Sequence, residues 1–335
     1  MGGAAVAGHP CRPAPHAQGA GLPGPYQGGR AGLVVTPARR GHLAMLTFSS
    51  CVAGSFSLGA MAAPLIGPAA LNAARFAIAI GVLAGVALAT GGIPRRALAA
   101  PWRYLLLGGL FTIYFVLMFE GLKTADPVAA AAVFTLTPAM SAGFGWLFLR
   151  QRTTARMGLA LALGAAGAAW VIFRGDPAAA LALRIGPGEA VYFLGCVAHA
   201  AYTPLVARLN RGERPVVFTL GMLVAGLAIL AVYGAGQIAA TPWADLPAIV
   251  WIAMVYLAVV ASAASFVLLQ YATLRLPSAK VMAYTYLVPG WVALWEIALG
   301  RPAPPALVLV GVAATAGALI ALLKDETRPP PRPAG

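Results

Sequence analysis

Charge is scarce in this chain, and negative charge is the scarcer sign. Only 10% of residues are charged, with 9 Asp and Glu against 23 Lys and Arg, while 60% are hydrophobic. So little polar surface cannot clothe a 335-residue fold in water, and the remaining surface must face lipid. Cysteine is nearly missing as well. Cys11, Cys51 and Cys196 show no paired spacing, which gives no basis for a disulfide framework or a thiolate metal site. No phosphate-cradling loop and no His-Glu-x-x-His occur, so direct ATP drive and zinc hydrolysis lack their residues. The net charge of +14 is not a nucleic-acid footprint, because the basic residues sit in small groups between long uncharged runs. No cofactor, metal or nucleic acid is expected.

What is present is hydrophobic length. Ten runs succeed one another, near 43–64, 71–92, 104–122, 127–149, 157–173, 187–207, 215–237, 247–271, 279–299 and 304–323. A span needs about 20 residues. In hydrocarbon each backbone amide must be satisfied within its own segment, so each run predicts a helix. The expected fold is an all-α polytopic membrane protein. Residues 1–42, rich in Gly, Pro and Ala, read as a disordered cytoplasmic tail without the apolar core of a signal peptide. Residues 324–335 read as a second cytoplasmic tail. The turn between the first two spans is the faintest, marked only by Pro64, Gly67, Pro68 and Asn72.

The basic residues set the orientation. With the N-terminus inside, Arg75, Lys123, Arg174, Arg184 and Arg301 fall outside and the other 18 fall inside. This predicts both termini on the cytoplasmic side of the inner membrane.

Two stretches resemble one another, FEGLKTADPVAAAAVFTLTP at 119–138 and QYATLRLPSAKVMAYTYLVP at 270–289. Each carries a basic residue at a helix end (Lys123, Arg275), a turn, and an apolar helix reaching a proline (Pro138, Pro289). The first joins spans three and four and the second spans eight and nine. An offset of five helices inverts one half relative to the other, as in many secondary transporters. The expected halves are residues 43–173 and 187–323.

Beyond that repeat, the sequence resembles EamA-type permeases of the drug/metabolite transporter superfamily. The resemblance rests on PAALNAARFAIA from Pro68, GLKTADPVAAAAVFTLTPAMSAGFGWLFL at 121–149, GEAVYFLGCVAHAAYTPLVARL at 188–209 and LRLPSAKVMAYTYLVPGWVALW at 274–295. It implies ten helices in two inverted five-helix repeats and an alternating-access carrier. Where the family usually has a Glu at the ends of helices four and nine, this chain has Gln151 and Arg301. A role borrowed for that Glu does not transfer.

Ionisable residues at bilayer depth are functional candidates. Glu120 reads as an interfacial partner of Lys123 or as a proton-responsive carboxylate at a cavity mouth. Glu296, after Trp291 and Trp295, reads as a proton relay or as a partner of Arg301. Arg75 reads as snorkelling to the interface, or as meeting an anionic substrate or a helix C-terminus. His199 is the one histidine expected within the membrane, a packed side chain before it is a relay. Tyr114, Trp146, Tyr202, Gln270, Tyr284, Tyr286 and Trp291 are candidates to line a substrate cavity, with the last three favoured. Pro138, Pro204 and Pro289 each remove one helical hydrogen bond, and Pro138 and Pro289, repeated in both halves, are expected hinges.

The leading expectation is a proton- or solute-coupled carrier of a small polar or amphipathic metabolite, with efflux favoured over uptake. A channel or regulatory membrane subunit without carrier activity is the alternative. A membrane enzyme is disfavoured by the poverty of nucleophiles, bases and metal ligands.

Overall fold

The chain divides into two units, Met1–Val35 and Thr36–Gly335. The computed structural model describes residues 37–182 and 185–324, together with Gly2. Apart from Gly2 the first unit, and with it most of the expected tail at 1–42, lies outside the described residues, as do residues 325–335. The second unit carries the transmembrane fold.

Among the described residues there is no strand. Nine helical segments of the described residues are long and apolar enough to cross a membrane. They are span 1 (Pro37–Ala62), span 2 (Pro68–Ala89), span 3 (Trp102–Gly121), span 4 (Pro127–Leu149), span 5 (Ala155–Ile172), span 6 (Pro187–Leu209), span 7 (Pro215–Tyr233), span 8 (Ala248–Thr273) and span 10 (Ala306–Leu323). Span 9 is helical in three consecutive pieces, Ser278–Ala283, a tight 3-10 segment Tyr284–Leu287, and Val288–Ala298. With it the described residues hold ten transmembrane helices.

Span 1 begins at Pro37, earlier than the expected start at 43, and so takes in His42 as a second histidine within a span. Span 2 begins at Pro68, and Asn72, expected in the turn, is buried inside that helix and donates to the Pro68 carbonyl at 2.8 Å. Helix starts obey local chemistry. Pro68, Pro127, Pro187 and Pro215 sit at first-turn positions where a missing N–H leaves nothing unpaired. Asp126 caps span 4 by accepting from Val128 N at 2.9 Å and Ala129 N at 3.1 Å.

The packing obeys a twofold exchange of helix n with helix n+5. Span 3 lies against span 6, and span 1 against span 8, the pair that exchange generates. Spans 2 and 7, 4 and 9, and 5 and 10 pack as self-related pairs. These are two inverted five-helix repeats. Small residues let the pairs approach. A Cβ on Gly121 of span 3 would sit 2.5 Å from the Gly188 carbonyl of span 6, and one on Gly167 of span 5 would sit 2.9 Å from the Gly311 carbonyl of span 10. Lipid supplies no hydrophobic drive between helices, so such close contact carries the association. Large apolar side chains face outward instead, among them Leu159 at 74% exposure and Val232 at 83%.

Prolines inside spans leave carbonyls that the helix cannot satisfy, and hydroxyls take them up. Pro138 removes the partner of the Phe134 carbonyl, which accepts from Thr137 Oγ1 at 2.7 Å. Pro204 removes the partner of the Ala200 carbonyl, which accepts from Ser141 Oγ of span 4 at 2.9 Å. In span 9 the tightened turn lets the Val288 amide reach the Thr285 carbonyl, the one that Pro289 would orphan.

Candidate functional site

Spans 4 and 9 break at matching places. Span 4 passes through a turn at Thr135 and Leu136 before resuming at Thr137, one residue ahead of Pro138. Span 9 tightens at Tyr284–Leu287 before Pro289. The two breaks touch, with Thr137 Oγ1 and Thr285 Oγ1 3.4 Å apart.

Beside these breaks lies a closed aromatic cluster centred on span 3. Phe111 stands 4.0 Å from Tyr202 and 4.7 Å from Phe266 by ring centroids. His199 is enclosed by Tyr114 at 4.5 Å, Phe134 at 5.2 Å and Phe111 at 5.4 Å, and its Nδ1 has no partner. The Tyr114 hydroxyl pairs with that of Tyr192 at 2.9 Å, a residue that no motif or periodicity singles out. Gln270 Nε2 donates to the Tyr202 hydroxyl at 2.7 Å, and its Oε1 is unpartnered. Four candidates from the sequence therefore converge here: Tyr114, His199, Tyr202 and Gln270.

Arg75 joins them from span 2. The expectation of a snorkelling side chain is corrected: the residue is 0% exposed. It lies about 10 Å along its helix from the Pro68 end, out of easy reach of the interface. Its guanidinium carbon sits 3.8 Å from the Phe115 ring centroid, a cation–π contact. Nε and Nη2 both donate to Ser262 Oγ, at 3.1 and 2.8 Å. Ser262 occupies a π-helical turn, Val259–Ala264, within span 8, and donates onward to the Leu257 carbonyl at 2.6 Å. Such widened turns recur at functional positions.

Other candidates stand elsewhere. Glu120 is on the surface, its side chain 47% exposed and paired with Lys123 at 2.7 Å. Trp146 is likewise exposed and lines an open cavity between spans 4 and 5, with Ala139 and Leu161. Tyr284, Tyr286 and Trp291 do not converge. Tyr284 pairs with His42 Nδ1 at 3.0 Å, and Trp291 Nε1 donates to Ser49 Oγ at 3.3 Å, both toward span 1. Tyr286 instead fills the space left by Gly164 of span 5. Residues two apart on a tight 3-10 turn point in different directions, which divides the set. Glu296 is buried and accepts from Arg301 Nη1 at 2.8 Å, with its other oxygen unpartnered. It lines a cavity of about 460 Å³ at the 9–10 turn, together with Asp126, Arg174 and Arg301.

At the opposite end of the bundle lies an ion pair that sequence reasoning does not find. Arg103, at the start of span 3, meets Glu213, in the turn between spans 6 and 7, at 2.8 Å, with side chains 1% and 2% exposed. Arg103 also donates to the Leu209 carbonyl at 2.6 Å and the Ala99 carbonyl at 3.0 Å. Beside it Arg214 reaches across to the carbonyls of Thr90 and Gly92. Burial works to raise the Glu213 pKa, but hydrogen bonds from Arg103 and the Arg211 amide outweigh it and hold the carboxyl below its ordinary value. No cluster of metal-ligating side chains occurs among the described residues.

Known proteins carry the same arrangement. A crystal structure of a protein at 21% sequence identity superposes with a TM-score of 0.65, over 85% of this chain and 96% of that one, and shares the fold. An uncharacterized transporter of Bacillus subtilis (strain 168), YyaM, is 26% identical over 296 residues, covering 86% of this chain and 96% of its own length. Residues 39–173 and 186–323, one stretch for each inverted half, match the EamA-like transporter family. With both repeats accounted for, this multi-pass membrane protein belongs to the EamA-like transporter family, and is a transporter.

Proposed function

We propose that the chain is a secondary carrier that moves a small metabolite across the cytoplasmic membrane by alternating access, with both termini cytoplasmic and efflux as its direction. The observation that carries this reading is the contact between two symmetry-related broken spans, Thr137 of span 4 against Thr285 of span 9. Discontinuous helices meeting near the bundle centre are what a carrier uses to bind solute and to change access. Pro138 and Pro289 act as hinges, and Tyr114, Tyr202, Gln270 and His199 face the translocated solute. Arg103–Glu213 and the Arg214 contacts latch the end at which spans 1 and 3 begin, while the 460 Å³ cavity lies at the other end. That latch supports a state closed to the cytoplasm. Glu296, buried and incompletely paired in that cavity, is the carboxylate favoured for proton coupling; the exposed Glu120 is not.

The test is counterflow in proteoliposomes, scored by exchange of labelled solutes against unlabelled ones. A carrier shows saturable counterflow that slows at least about tenfold in the Pro138→Ala, Pro289→Ala double variant. A non-saturating flux identifies a channel, and unchanged exchange in the folded double variant removes the hinges.

A further inference from the structure

Resting on the carrier reading and narrowing it, we propose that Arg75 is the anchor of a substrate site for small organic oxyanions, carboxylates or sulfonates bearing an apolar body. The guanidinium is fully buried, yet it forms no ion pair with any described carboxylate. A buried charge normally needs an opposite charge and a full set of acceptors. Here two of its nitrogens share one serine hydroxyl, and the third, Nη1, has nothing. An oxyanion is the group that a planar guanidinium with a free edge recognises best.

The surroundings say what the rest of the ligand is. From Phe115, over the guanidinium, the aromatic wall continues through Phe266 at 5.6 Å and Phe111 at 5.5 Å. It ends at His199 and Gln270, whose Nδ1 and Oε1 are also buried and unpartnered. Three unsatisfied polar atoms on spans 2, 6 and 8, joined by one aromatic wall from spans 3 and 8, form a built site. Buried groups of this kind are ordinarily satisfied, so their sharing one cluster points to a common ligand. The π-helical turn has a role here as well, since it brings Ser262 Oγ to Arg75 and fixes the guanidinium's orientation.

The probes are matched pairs, benzoate with benzamide and octanoate with octanamide, each titrated at millimolar concentration against the purified full chain. The readout is ligand-dependent thermal stabilisation, confirmed by equilibrium binding. The expected result is an acid-over-amide preference of at least about tenfold, the worth of one charge-assisted hydrogen bond. Arg75→Gln collapses that preference to within about threefold, and Arg75→Lys keeps part of it. Should Arg75→Gln not fold, Ser262→Ala, which removes only the anchor of the guanidinium, weakens the acids selectively. Equal protection by acid and amide in the natural protein, protection by neither, or an acid preference surviving in folded Arg75→Gln overturns the proposal. Saturable counterflow of neutral solutes alone would end the oxyanion site and leave the carrier standing. Acid-selective binding without counterflow would do the reverse.

Discussion

Breaking the Arg103–Glu213 pair is the perturbation whose size the structure constrains best. Both side chains are sealed from water, at 1% and 2% exposure, so removing either partner strands the other. Losing one member of a buried pair costs about 3–5 kcal/mol. The two losses are unequal. In Glu213→Ala the guanidinium keeps the carbonyls of Leu209, Ala99 and Ala100, which places that variant at the lower end. In Arg103→Ala the carboxylate keeps the amides of Arg211, at 2.6 Å, and of Glu213 itself, while those carbonyls lose their donor, which places it at the upper end. The assay is reversible unfolding of the purified protein in mixed micelles, with the double variant closing the cycle. The pH dependence has a definite sign. The folded pKa of Glu213 lies below its ordinary 4.5, so the stabilisation is complete at neutral pH and disappears only as acid takes the carboxyl through that lower value. Across the neutral range this pair adds no slope. A loss under about 1 kcal/mol for Arg103→Ala would place the pair in the class of solvated surface bridges and refute its role as a latch.

Packing sets two further outcomes. Gly164→Ala puts a methyl group into the Tyr286 ring and costs about 1–3 kcal/mol by overpacking, whereas Gly81→Ala, with nothing within 4 Å, is neutral or stabilising; thermal unfolding of both distinguishes them. Ser141→Ala deprives the Ala200 carbonyl of its donor and costs about 1 kcal/mol, and adding Pro204→Ala, which restores the helical amide, recovers most of it in the same measurement.

The spans are legible in the sequence because membrane crossing is written in uninterrupted apolar length, and the breaks in spans 4 and 9 are legible because proline is a local signal. Arg75 is not. One arginine in the first turns of a helix reads as an interfacial cation, and only helices from elsewhere in the chain reveal that it is covered. The π-helical turn at Val259–Ala264 has no proline or glycine to announce it, and the contact it serves, Ser262 with Arg75, joins residues far apart in the sequence. Arg103 reads as one more loop charge and Glu213 carries no local signal, since nothing in the chain links residues 110 positions apart. The division between Tyr284 and Tyr286 depends on the tight turn, which apolar periodicity does not encode.

The hydroxyls that cover carbonyls at the proline sites bear on how these helices move. A peptide N–H is fixed to its backbone, so a helix that bends there must stretch or break the bond. Thr137 and Ser141 present donors that swivel about a single bond and can track a shifting oxygen. Flexing at Pro138 or Pro204 then leaves no bare carbonyl in oil, and resistance to it comes from the neighbouring side chains alone.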